Sequence, residues 1–227
     1  MTSEPCFDFF YDAGSCSLAV RIVLEEGGFA YQAHRVSARE PGRETRDASW
    51  LARNPKGRVP ALSPVTGRAG GEEHLLTEVP AILTYLARLR PNLDLMPADP
   101  AREARTLEWM NWLSGWLHAV AFAQQWRPER FSDAAAGLPA IAAKGRANML
   151  DAFANIERIL ADGRTWAVPD TYSVADAFLI VFYRWGKSMD VRMGEYSAWT
   201  ALTSRTMERP AVAAGLQKDG LASPLTR

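Results

Sequence analysis

Cys16 follows a short apolar run, Phe7-Asp8-Phe9-Phe10-Tyr11, and the segment Asp12-Ala13-Gly14-Ser15. That order reads as a buried strand, a tight glycine-containing turn, and a helix that begins with the cysteine. At a helix N-terminus the unpaired backbone N–H groups and the positive end of the dipole favour a thiolate. Cys16-Ser17-Leu18-Ala19 holds no second cysteine, so a mixed disulfide formed there needs an outside thiol to resolve it. The competing reading is a buried cysteine that behaves as a small hydrophobe. Cys6 has no activating context, and the extended strand between the two keeps them too far apart to bridge.

Two further stretches could do chemistry. At 100° per residue along 101–125, Trp109, Trp112, Leu113, Trp116 and Val120 share one helix face, and Asn111, Ser114, Gly115 and His118 the opposite one. A helix buried on its tryptophan side either turns Asn111 and His118 into a cleft or leaves them solvated. Gly115 favours the cleft, because an exposed helix gains nothing from glycine. Thr77-Glu78 ends a strand and starts a helix. Glu78 either caps that helix or accepts from a ligand's ammonium, and the free amides of Val79 and Ala81 suit a carboxylate. Pro80 lacks an N–H. His34 and His74 have no companion at metal-ligand spacing, so no metal site is expected.

The elements that must position these groups alternate over the first ninety residues. Strands are expected at Phe7 to Tyr11 and Tyr31 to Val36, with a helix from Cys16 to Gly27 between them that ends at Gly27-Gly28. A short helix is expected around Ser49 to Ala52. Asn54-Pro55-Lys56-Gly57-Arg58-Val59-Pro60 feeds a hairpin of Val59 to Ser63 and His74 to Thr77, joined by a turn-rich loop from Pro64 to Gly71. Glu78 to Arg90 is a helix with Pro80 in its first turn. The βαβ then ββα order implies a mixed four-stranded sheet.

After a proline-rich linker at 91–100 everything reads as helix. Expected are Ala101 to Gln125, Leu138 to Ala161, one opening at the capping-box-like Ser173-Val174-Ala175-Asp176, and Ala198 to Glu208 ended by Arg209-Pro210. The domains expected are therefore 6–90, α/β, and 101–227, all-α.

Composition excludes several classes. Lys plus Arg equals Asp plus Glu at 26 each, which gives no reason to expect a nucleic acid or an anionic membrane as partner. Two cysteines make no secreted-type disulfide framework. The first residues lack signal-peptide features, and no run approaches the roughly 18 apolar residues of a membrane span. A soluble cytoplasmic protein is expected.

The chain resembles the cytosolic glutathione S-transferases, most closely the bacterial beta class. The likeness runs from Phe7 to about Leu221. Its carriers are Tyr11 with Gly14-Ser15-Cys16-Ser17-Leu18-Ala19, Asn54-Pro55-Lys56-Gly57-Arg58-Val59-Pro60-Ala61-Leu62, Leu75-Leu76-Thr77-Glu78, Glu108-Trp109-Met110-Asn111-Trp112-Leu113, Leu117-His118 and Ser173-Val174-Ala175-Asp176-Ala177.

The resemblance implies a thioredoxin-like N-terminal domain, an all-helical C-terminal domain and a homodimer. It implies glutathione as co-substrate, with Cys16 at its sulfur, the Tyr11 hydroxyl nearby, and Ser17 beside the cysteine. Val59, before a cis-Pro60, pairs with the cysteinyl part; Glu78 and Val79 take the γ-glutamyl end; Arg39 takes the glycine carboxylate. Asn111, Gly115 and His118 face the thiol across the cleft, and a small hydrophobic electrophile lies by Phe122 and Trp126. The implied chemistry is attack by the glutathione thiol on that electrophile, His118 serving as general acid, with disulfide reduction through Cys16 a further activity. Val79 and Pro80 depart from the family pattern, as does Ala119 beside the histidine. These departures suit the alternative of a transferase-like binding module without turnover.

Overall fold

The computed structural model describes residues 6–39, 41–64 and 75–226. Alternating apolar residues make Cys6–Tyr11 strand β1, with Phe7 and Phe9 fully buried in the main core and Phe10 in a small cluster with Trp50 on the other face. Helix α1 (Ser17–Glu26) follows, and Gly28 just past it takes a φ of 60° that costs glycine little. Strand β2 (Ala30–Arg35) pairs parallel to β1, and β3 (Ala61–Pro64) pairs antiparallel to β1 and to β4 (Leu76–Thr77). The sheet order is β2-β1-β3-β4, with helices α2 (Ala48–Arg53) and α3 (Val79–Leu89) completing this part. This is the mixed four-stranded sheet expected. Beyond Pro64 the hairpin loop, and His74 with it, lie outside the described residues.

The remainder is mostly helical: α4 (Pro100–Trp112), a π-helical segment Leu113–Phe122, α5 (Ala123–Trp126), α6 (Leu138–Leu160), α7 (Val174–Ser188), α8 (Ser197–Met207) and α9 (Pro210–Lys218). The capping box at α7 is present. The buried Asp176 carboxylate accepts the N–H groups of Ser173 and Ala167, both at 2.8 Å, and Ser173 accepts from Ala175. Together they lock the start of the most buried helix. Within 91–100, Leu95 and Met96 are buried and the Leu95 carbonyl accepts the Val174 N–H at 2.9 Å. That stretch is thus packed against α7. One apolar cluster runs from β1, α1 and α3 through α4, α6 and α7, so sheet and helices share a core.

Two expectations differ. Pro210 opens a helix rather than closing the chain's last one, since proline loses no hydrogen bond at a first turn. The long helix from 101 is not α-helical throughout: after Leu113 its buried residues are Leu117 and then Ala121 and Phe122, a wider spacing than an α-helix gives.

Candidate functional site

A cleft of about 710 Å³ opens between the sheet's loops and the helical part, a size suited to a small ligand. Its floor is the turn Asp12-Ala13-Gly14-Ser15 and Cys16. The Ser15 hydroxyl accepts the Ser17 N–H at 3.1 Å and so caps the turn into α1. Cys16 is the N-cap of α1 but makes no cap bond; its Sγ–H donates instead to the Val59 carbonyl at 3.8 Å. Only 5% of Cys16 is exposed, and burial pushes its thiol up to about 12. The backbone hydrogen bond and the positive charge of Arg58 pull the other way and are outweighed. The thiolate expected from the helix dipole is not present in this state, because removing the sulfur from water disfavours the anion more than the dipole favours it.

The side wall is the loop before β3. Buried Asn54 donates to the Arg58 carbonyl at 2.8 Å and accepts the Lys56 N–H at 3.2 Å, and Gly57 takes a φ of 58°. This turn delivers Val59 and a cis Val59-Pro60 peptide to the cleft, as the resemblance implies. Glu78 stands next to it with a φ of 74°, a conformation disfavoured for a residue with a Cβ and characteristic of functional sites. Its carboxylate does not cap α3; it accepts from Lys56 Nζ at 2.8 Å and stays exposed. Of its two readings, capping is thereby excluded. Arg39 lines the same cleft, with its Nε 3.4 Å from the buried Asp12 and a donor on the Ala13 carbonyl.

The π-helical segment supplies the opposite wall. It presents His118 and Ala119 to the cleft, and α5 adds Ala123 and Trp126. The His118 ring lies 5.0 Å from Trp185 and 6.4 Å from Phe182 between ring centroids. Burial there, then the positive field of Arg58, Arg130 and Arg127, lowers His118 to about 4. The imidazole is therefore neutral at physiological pH, able to donate or accept a hydrogen bond but with no charge to lend a thiolate and no imidazolium proton for a leaving group.

Several expected residues are not brought to this cleft. Tyr11 follows Phe7 and Phe9 on one face of β1; its ring stacks on Phe9 at 5.5 Å beneath the Arg21 guanidinium, packed against the main core. Ser17 is fully buried in the first turn of α1, where its hydroxyl accepts from Ser15 at 2.9 Å. Asn111 and Gly115 line a separate groove with Pro80, Thr84 and Tyr85; only Glu78 and Ser114 border both. The π turn advances less per residue than the 100° assumed, so Asn111 and His118 diverge. Gly115 is exposed, and a Cβ there would meet nothing within 4 Å, so no close approach explains it. Trp116 is 40% exposed rather than part of the buried stripe. Phe122 is fully buried in the core, and Trp185 lines the cleft in its place beside Trp126. The sequence also gave no role to Arg127, Arg130 or Arg184, all of which line the cleft. Their separation along the chain carries no local signal.

Among the described residues no group of three or more His, Cys, Asp or Glu could hold a metal ion, and no helix is long and apolar enough to cross a membrane.

Comparison with known proteins agrees with this geometry. Residues 13–89 match the family model described as glutathione S-transferase, N-terminal domain. The glutathione S-transferase GstA of Escherichia coli O157:H7 is 31% identical over 213 residues, covering 93% of this chain and 98% of GstA. A glutathione transferase homologue from Sulfitobacter, crystallised with bound glutathione, superposes with a TM-score of 0.84 at 28% identity, covering 96% of this chain and 99% of that one. The beta-class glutathione S-transferase of Sphingomonas chungbukensis gives a TM-score of 0.76 at 29% identity, covering 95% and 100%. The likeness holds over nearly the whole length in sequence and in structure, and this chain belongs to the glutathione S-transferase family.

Proposed function

We propose that the cleft binds glutathione and that the tripeptide's own sulfur, rather than Cys16, is the nucleophile that attacks a small electrophile. The observation that carries this is the pairing of Cys16 with Val59: a protonated thiol, aimed at the carbonyl before the cis-proline, beside a backbone edge open to a cysteinyl residue. On binding, the Val59 backbone pairs with the cysteinyl part of glutathione, and the Cys16 S–H is free to donate to the incoming thiolate. Hydrogen bonds to the anion lower the pKa of the bound thiol. Glu78 accepts from the γ-glutamyl ammonium in competition with Lys56, the Val79 amide meets the γ-glutamyl carboxylate, and Arg39 meets the glycine carboxylate. His118 hydrogen-bonds across the cleft as a neutral imidazole. In the conjugation step the C–S bond forms as the leaving group departs with its electron pair. By the same reading the protein is cytoplasmic and works as a homodimer, which sedimentation at twice the 25.1 kDa chain mass would support.

The test is calorimetric titration with glutathione together with turnover of 1-chloro-2,4-dinitrobenzene. Saturable binding and conjugation are expected, with Cys16→Ala lowering kcat/KM roughly tenfold, as losing one hydrogen bond to an anion does. Loss of hydroxyethyl disulfide reduction in that variant, with conjugation intact, would instead make Cys16 the nucleophile. A second reading, a binding module without turnover, is favoured by the missing N–H at Pro80 and by two uncharged groups in the cleft. Binding with no turnover of either substrate would select it.

A further inference from the structure

The cleft concentrates charge that the chain as a whole does not have. Over the full sequence 26 basic residues balance 26 acidic ones. Among the described residues, seven cationic side chains line the cleft against three carboxylates, those of Asp12, Glu78 and Glu129. Glutathione accounts for Arg39, at its glycine carboxylate, and Lys56 is paired with Glu78. Of the other five, Arg43 and Arg127 have partners and Arg184 lies in the field of Asp219, which leaves Arg58 and Arg130. They face the cleft from opposite walls, Arg58 beside the cis-proline and Arg130 in the turn after α5. Neither guanidinium group has a hydrogen-bond or ion-pair partner among the described residues. Both act on the His118 imidazole, and Arg58 acts on Cys16 as well. Partial burial, then the proximity of Arg127 and Arg58, pulls Arg130 down to about 10. Holding like charges together in this way disfavours the empty cleft and favours an anion. Trp126 stands exposed on the same wall, with the buried Trp185 packed edge-on against it at 5.0 Å.

We propose that the electrophile this cleft takes is an anion: a planar, apolar body laid against Trp126, carrying a carboxylate or equivalent charged group held between Arg130 and Arg58. This inference rests on the transferase reading and names its substrate class. A guanidinium fork suits such a group, since it can give two parallel N–H donors to one carboxylate. An uncharged aromatic would need only Trp126 and would leave both guanidinium groups without a counter-charge. In the reaction glutathione's thiolate attacks the activated carbon, the C–S bond forms, and the leaving group departs with its electron pair as an anion, the thiol proton having gone to solvent.

The experiment compares two unreactive ligands, 3,5-dinitrobenzoate and 1,3-dinitrobenzene, by calorimetric titration of the full chain with and without saturating glutathione. The wild type is expected to bind the benzoate at least about tenfold more tightly than the neutral ring, the scale of one charge-assisted hydrogen bond. That preference should shrink as salt rises from 0.05 to 0.5 M. Arg130→Gln should remove most of it while the affinity for the neutral ring changes less than twofold, and Arg130→Lys should retain part. Turnover of 4-chloro-3,5-dinitrobenzoate against 1-chloro-2,4-dinitrobenzene, each divided by its uncatalysed rate, should show the same order. Equal affinity for the two rings, or an unchanged preference in Arg130→Gln, overturns the proposal; so does a variant that loses glutathione affinity and keeps the benzoate preference. An arginine-dependent benzoate preference in a protein that fails to bind glutathione would leave this inference standing and remove the transferase reading instead.

Discussion

At Cys16 two influences act on one sulfur, and their sizes decide the chemistry. The helix N-terminus and Arg58 favour the anion, while near-complete burial opposes it and wins, taking the thiol from 9.0 to about 12. Three pKa units leave about a thousandfold less thiolate at neutral pH than an ordinary cysteine has. In the ligand-free protein iodoacetamide at pH 7.5 should therefore label exposed Cys6 and spare Cys16, read by peptide mass spectrometry; equal labelling would show an activated sulfur. His118 is the mirror case. Its folded-state value of about 4 lies below the ordinary 6.5, so between those values the unfolded chain binds the extra proton. The neutral ring's contribution to stability is present above pH 6.5 and lost as pH falls toward 4. With only three histidines in the chain, NMR titration of the ring C–H signals can follow each one, and a His118 midpoint near 6.5 would contradict the burial argument.

Among the elements, those set by local signals were legible in the sequence. A short apolar run gave β1, the serine-aspartate box gave the start of α7, and the Pro/Gly-punctuated run from Asn54 to Pro60 marked the cleft's side wall. What failed was phase and reach. A wheel drawn at a constant 100° put Asn111 and Gly115 beside His118, and the π turn moves them into the neighbouring groove. Tyr11 was misplaced although alternation alone sets it on the Phe9 face. Arg58 and Arg130 line one cleft only because the chain returns across it, which no local pattern announces. The side-wall turn itself is tightly specified: at Gly57 a Cβ would lie 2.8 Å from the Thr45 carbonyl, at a φ of 58°. Gly57→Ala should cost about 1–3 kcal/mol in urea denaturation and raise the KM for glutathione by displacing Val59. A variant as stable as the wild type would mean the turn relaxes freely.

For the molecule as a whole, the two ends of the chain are joined beneath the cleft. Asp219, just beyond α9, pairs with Arg21 of α1 at 2.5 Å in full burial and also accepts the Gly14 N–H at 3.2 Å. Trp185 of α7 donates to the Gly14 carbonyl at 2.8 Å. Removing one partner of such a pair strands a buried charge, so Asp219→Ala should cost about 3–5 kcal/mol, measured as a lowered urea midpoint. A loss below about 1 kcal/mol would show that water reaches Arg21 instead. The same arrangement makes the Gly14 peptide a rivet between the first turn and the last helix. Clipping the polypeptide after Lys218 would spare every residue to which we assign glutathione and is expected to slacken the floor they stand on. The shape of the cleft floor thus depends on a carboxylate some two hundred residues away along the chain.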